Sequence, residues 1–370
     1  MGHKTIALLS PDSRLPLVDG LRAAAAMLIV LHHFAIYGPV SRALAENLPE
    51  FRGALAEYAR YAVYVFLVVA GFMAARTFAD SSTRPVVPAT RLILRRYLRL
   101  VGPLAAALML AVFCAALARH WTIEDYVPGP ASPRQVFAHL ALLQSVLGFD
   151  SLTTGVWYIA VEMQLFIGVV LLLKVETGLP RRDLPVGAIA LLTLASWGFW
   201  NGDVSLEDWA PYFFGAYGLG VLSWWAAHAR LQGHRLIWML VVLAALALLA
   251  LDWRGRMAVA LATALLLSRW GLRPWSPGPW TRLGSLRWLG ERSYALFLVH
   301  FPVLLVVNTL VATVDSLTAV PPLLLLLAGA MASVLAASVF HACVEIPWMR
   351  LLQTHPAGRR QQTQVVTNPV

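Results

Sequence analysis

A chain of 370 residues that is 59% hydrophobic and only 13% charged, with mean hydropathy +0.68, is too apolar for a soluble globular domain. The formal net charge of +10 would suit nucleic acid, but the basic residues fall in short connections between apolar runs, where topology and anionic lipid account for them. Composition therefore predicts an all-α polytopic membrane helix bundle whose partner is membrane lipid, not nucleic acid.

Runs of roughly 17–25 mostly apolar residues can cross the hydrocarbon as helices. Ten are predicted, at 19–38, 60–79, 100–118, 155–173, 185–200, 209–226, 236–251, 257–270, 293–312 and 321–343. Those at 185–200 and 257–270 are short for a span. The first run is long, opens on Asp-Gly-Leu-Arg and closes on aromatic residues, so it reads as a span and not as a cleaved signal peptide. Twenty of the 29 Lys and Arg residues lie on the connections of one face and seven on the other, with Arg22 and Arg76 inside spans. Positive-inside reasoning then puts both termini in the cytoplasm.

The first span carries both Arg22 and His33. A charge in mid-bilayer costs roughly 2.5–3.5 kcal/mol on insertion scales, so it marks a functional site unless the side chain snorkels to the interface. Eleven helical steps return nearly to the starting face and rise about 16 Å, which puts His33 on the stripe of Arg22 and turns His32 roughly 80° away. Asp19, three residues before Arg22, is placed to hold that guanidinium.

Arg95, Arg96 and Arg99 crowd the approach to the third span. Such clusters are ordinary topology signals, and they also have the chemistry to grip a phosphate-bearing ligand. The connection at 119–154 is the longest on the outer side, long enough for a lid or a docking surface for an acceptor. Next comes Trp157-Tyr158-Ile159-Ala160-Val161-Glu162, where Tyr158 and Glu162 share a face and the acid needs a cationic or hydroxyl partner. Glu162 could orient His33 or neutralise an Arg within the bundle.

The inner stretch 271–292 is turn-rich, with Trp and Arg suited to an interfacial segment. Ser293 and His300 share a face of the ninth run, and His341 and Glu345 close the tenth. The domain is predicted to span 1–350, and residues 351–370 form a polar tail without periodicity. Cys114 and Cys343 both fall in apolar runs and read as small hydrophobes. No His or Cys spacing suggests a metal site, and neither a P-loop nor G-x-G-x-x-G occurs.

Taken in order, several of these segments resemble the membrane acyltransferase-3 family. They are Leu17-Val18-Asp19-Gly20-Leu21-Arg22 followed by His33, Phe66 through Phe72, Arg95-Arg96-Tyr97-Leu98-Arg99, Trp157 through Glu162, Tyr294 through Pro302, and Glu345-Ile346-Pro347. Ala70 stands where the family usually has Ser before Gly-Phe. The resemblance implies ten helices and an acyl-CoA donor, commonly acetyl-CoA, taken from the cytoplasm. It also implies an O-acyltransferase acting on glycans, lipids or macrolides, with a cell-surface or lipid-linked glycan the preferred acceptor and the inner membrane the setting. His33 would be the central catalytic residue and Arg22 its companion, with Asp19 and Glu162 beside them. Arg95, Arg96, Arg99, Trp157, Tyr158 and His300 would serve the donor. An imidazole titrates near neutral pH and suits deprotonation of an alcohol; base catalysis and an acyl-imidazole intermediate both remain open. A transporter or channel using intramembrane Arg, Glu and His is the competing reading. It predicts Gly- or Pro-interrupted helices at matching places in two halves, and no internal repeat of that kind is found.

Overall fold

A computed structural model of the protein describes residues 15–79, 87–175, 184–228, 232–271 and 284–354. The interfacial stretch expected at 271–292 is outside the described residues from 272 to 283, and so is the tail beyond Thr354.

Every regular element among the described residues is helical. In chain order they are α1 (Pro16–Ile36), α2 (Gly38–Asn47), α3 (Pro49–Tyr58), α4 (Ala62–Ala79), α5 (Ala89–Trp121), α6 (Pro133–Leu140), α7 (Val156–Val175) and α8 (Leu184–Gly198). There follow α9 (Ala210–Ala227), α10 (Gln232–Leu251), α11 (Gly255–Trp270), α12 (Gly284–Glu291), α13 (Ser293–Thr313), α14 (Asp315–Thr318), α15 (Pro322–Phe340) and α16 (Ile346–Thr354). The last runs four residues into the segment read as a tail.

Among the described residues, seven stretches are long and apolar enough to cross a membrane. The helices at three predicted spans, α8, α9 and α11, are not among them, each for a physical reason. With 15 and 16 residues, α8 and α11 reach only about 22–24 Å, short of a hydrocarbon core of about 30 Å. In α9, every residue from Tyr212 to Trp224 is buried, against α4, α8 and α11. A helix enclosed by protein need not be as apolar as lipid, so it tolerates Tyr, Gly and Ser. Lipid-facing stripes lie elsewhere: Met109 and Phe113 on α5, and Met331, Leu335 and Val339 on α15, are exposed at four-residue spacing. A soluble surface would seldom expose such stripes.

α5 bends the rules of its own ladder. Pro103 has no N–H and crowds the carbonyl four residues back, at Arg99. On either side of it, side chains from other helices take up carbonyls: Tyr294 Oη donates to Leu100 O (2.7 Å) and Trp348 Nε1 to Leu98 O (2.8 Å). Gly102 leaves room for the Trp348 ring. Those bonds fix the basic end of α5 against α13 and α16.

The connection after α5 departs from a simple outer loop. Arg119 donates to Pro128 O near the end of α5, yet Tyr97 Oη, 22 residues earlier, donates to Leu140 O at 2.9 Å. The chain thus folds back along about 33 Å of α5. α6 opens with a capping box between Ser132 and Gln135. His139, wholly buried, has both ring nitrogens partnered, by Gln135 O (2.8 Å) and the Leu152 N–H (3.0 Å). Irregular backbone at this depth is tolerated because protein encloses it.

Across the mouth of this fold-back, Arg42 of α2 grips Glu124 through two bonds of 3.0 and 2.7 Å. The guanidinium holds the Glu124 carboxyl below the usual carboxylate range. A depressed folded pKa means that the pair stabilises above the ordinary Glu pKa and is lost as pH falls through the folded one. Exposed pairs contribute about 0–1 kcal/mol. Glu124→Gln should therefore lower the thermal midpoint slightly at pH 7, by a difference that shrinks as pH falls below the ordinary Glu pKa, as read by melts of the purified protein across that range.

Candidate active site

α1 stops just beyond His33 because the chain turns there. Tyr37 is extended and Gly38 adopts φ +76°, a left-handed conformation suited to Gly. A Cβ at Gly38 would meet the Asn308 side chain at 2.6 Å. Asn308 of α13 is fully buried and is satisfied by this turn, donating to Tyr37 O (3.2 Å) and accepting from the Val40 N–H (3.1 Å). Ser41 Oγ and Arg52 Nε donate to Ala35 O, one of the carbonyls orphaned by the helix end. α1 and α13 are thereby fixed in register, and that register brings His33 to His300.

His33 Nδ1 lies 3.0 Å from His300 Nε2, with ring centroids 4.9 Å apart. Tyr37 stacks on the other part of the His33 ring at 5.9 Å and 2°. His32 turns aside, donating from Nδ1 to Leu55 O at 3.2 Å. Thr154, just before α7, puts Oγ1 3.4 Å from His300 Nε2. Gly155 follows at φ +90°, with the Phe297 ring 2.8 Å from where its Cβ would be.

His32 and His33 both line a cavity of about 1270 Å³. Its lining includes Tyr58 and Arg60, Ser145 and Ser151, Glu207 and Asp208, and Arg254 and Arg256, residues in or beside connections that the sequence assigns to the side with fewer Lys and Arg. Arg254 and Arg256 are braced by the buried Asn201, whose Oδ1 accepts from both at 3.1 and 3.2 Å. The cavity is deep: Phe297, which lines it, is four residues from Ser293 along α13 and sixteen from Thr313, about 6 and 24 Å.

The predicted donor residues divide into two groups. Trp157 and Tyr158 line the cavity and His300 touches His33, whereas Arg95, Arg96 and Arg99 lie at the start of α5. Glu162 does not meet His33. It is 4% exposed and ion-pairs with Arg96, which also lies over the Phe166 ring at 4.6 Å. Arg22 is half-buried within electrostatic range of Arg99 and Tyr158, so α1 carries one charge toward the basic end and one imidazole toward the cavity. Asp19 is about 21 Å before His33 on the same helix, with Gly290 packed on its backbone. Between the two ends, Phe66, Tyr158 and Phe297 form a triangle of rings with centroids 5.4–6.0 Å apart. Sequence reasoning missed Asn308 and Thr154; a lone Asn in an apolar run was the signal available for the first.

A lipid-faced helical bundle with an imidazole on the wall of a large cavity, a second imidazole against it and guanidinium groups at the start of α5 has the make-up of a multi-pass membrane enzyme. The chain belongs to the acyltransferase-3 family, whose model, an acyltransferase domain, matches residues 16–342. It is a membrane acyltransferase. No curated protein and no solved structure matches the chain.

Proposed function

We propose that the protein transfers an acetyl group from cytoplasmic acetyl-CoA to a hydroxyl of a cell-surface or lipid-linked glycan, across the inner membrane, with ten helices and both termini inside. The observation that carries this reading is that His33 lines a cavity with Arg60, Arg254 and Arg256, residues expected on the side poorer in Lys and Arg, while Arg22, on the same helix, lies within electrostatic range of Arg99. Arg22 and Arg99 suit the donor's phosphates, and the thioester arm would pass Tyr158 to reach His33. His33 takes the proton of the acceptor hydroxyl as the acyl–oxygen bond forms. The acyl–sulfur bond breaks, its electron pair stays on sulfur, and the proton passes to the thiolate. The cavity walls, with Trp157, Tyr58 and Tyr61 beside Glu57, Glu207 and Asp208, offer ring faces and hydrogen-bond acceptors to a polyhydroxylated ligand.

In proteoliposomes with labelled acetyl-CoA, His33→Ala should lower turnover by about 10²–10⁴-fold. Arg22→Ala should raise the KM for acetyl-CoA, and His32→Ala should leave turnover within a few-fold of wild type. Folded protein that turns over no acyl-CoA but conducts solute would sink this reading in favour of transport.

A further inference from the structure

The hydrogen bonds around His300 fix where its proton sits, and through it the tautomer of His33. His300 is fully buried on α13, with Nδ1 3.2 Å from Leu296 O in the preceding turn. A carbonyl oxygen only accepts, so Nδ1 carries the hydrogen; the opposite tautomer would set a lone pair against a lone pair at a fully buried ring. In the neutral ring, Nε2 is then the acceptor. Its neighbours agree with that assignment: His33 Nδ1 at 3.0 Å and the Thr154 hydroxyl at 3.4 Å are both able to donate.

We infer that His300 is a positioning residue that holds His33 in its Nδ1–H tautomer, leaving Nε2 as the basic nitrogen presented by the first helix. The role of that nitrogen as catalytic base rests on the acyltransfer reading; the tautomer itself does not. Such an arrangement does for His33 what a carboxylate does for the base of a hydrolase triad, with a neutral acceptor in place of a charged one. When His33 takes up the acceptor's proton at Nε2, the imidazolium keeps its Nδ1–H···Nε2 bond to neutral His300, and no second proton moves. The other titratable groups around the pair are His32 and Tyr37 of α1 and Tyr158 of α7, with Glu57 and Arg60 further along the cavity wall. Glu162 is engaged with Arg96.

The test is nitrogen-15 solid-state NMR of histidine-labelled protein in proteoliposomes, with His33 assigned by difference from His33→Ala, alongside acetyl-CoA kinetics. Wild type should show His33 protonated at Nδ1 and bare at Nε2. His300→Phe, which removes the acceptor, should give a mixed or reversed His33 tautomer and lower kcat about tenfold or more while leaving the KM for acetyl-CoA near wild type. His300→Gln, whose amide can both donate to Leu296 O and accept from His33, should recover the tautomer and most of kcat, and it keeps the inference testable if the Phe variant does not fold. A His33 protonated at Nε2 in wild type, or a tautomer and kcat unchanged in His300→Phe, overturns the assignment. A tautomer that follows His300 as described in a protein inert toward every acyl-CoA sustains the positioning role and overturns the acyltransfer reading.

Discussion

Replacing Glu162 by Gln destabilises the folded bundle by about 3–5 kcal/mol, the cost of leaving one partner of a buried ion pair without the other. The Glu162 side chain is 4% exposed, and the Arg96 side chain that it faces is 25% exposed, with Nε enclosed and unbonded. Without the carboxylate, Arg96 keeps the face of Phe166 but loses its anionic partner. Thermal or denaturant unfolding in lipid–detergent micelles should show the loss. The double variant Arg96→Met/Glu162→Leu should recover most of it, because apolar replacement of a whole buried pair is often neutral or better. Its turnover then separates two roles that the sequence left joined. If the stable double variant still uses acetyl-CoA with an unchanged KM, Arg96 serves the fold and the donor depends on Arg22 and Arg99. If its KM rises, Arg96 also reaches the donor.

The second large effect is expected where α4 crosses α9. A Cβ at Gly71 would run into Tyr217 O, and one at Gly220 into Val68 O, each a backbone carbonyl that no rotamer change can move aside. Helices in lipid associate through close packing of small residues, since lipid is as apolar as Leu and gives them no hydrophobic reason to meet. Gly71→Val or Gly220→Val must therefore separate two helices at the centre of the bundle, at a cost of about 1–3 kcal/mol or more. Since α4 also packs on α1, the displacement should reach the cavity wall and lower turnover. Gly168→Val in α7, where a Cβ would meet nothing within 4 Å, is the matched control. Equal unfolding midpoints for Gly220→Val and Gly168→Val would refute the close-packing account. Ala70, next to Gly71, brings no side-chain hydroxyl to this crossing, so a hydroxyl at that position is not what joins these helices.

The places of the helices were legible in the sequence because lipid imposes a long apolar run on any segment that meets it. The runs at 19–38, 155–173 and 293–312 lie within two or three residues of α1, α7 and α13 at both ends. The third run begins at 100 only because the charges of Arg95, Arg96 and Arg99 hide eleven further helical residues that reach back to Ala89. Helical spacing also gave His33 and His32 different azimuths, a property of one helix alone, although both reach the cavity wall.

What composition does not encode is the partner across a helix interface. Glu162 had two candidate partners, and only the packing of α5 beside α7 gives it Arg96. His300 was grouped with residues of the donor end because its sequence neighbourhood carries no depth or azimuth. The turn at Gly38 and the buried Asn308 set the register that lays it on His33, across 267 residues of chain. The sequence by itself determined that this is an apolar helical chain with Arg22 and His33 about 16 Å apart on one stripe. Tertiary structure decided which charges cancel, which imidazoles touch and where the cavity opens, because those follow from contacts between helices that the lipid-like character of their surfaces leaves unspecified.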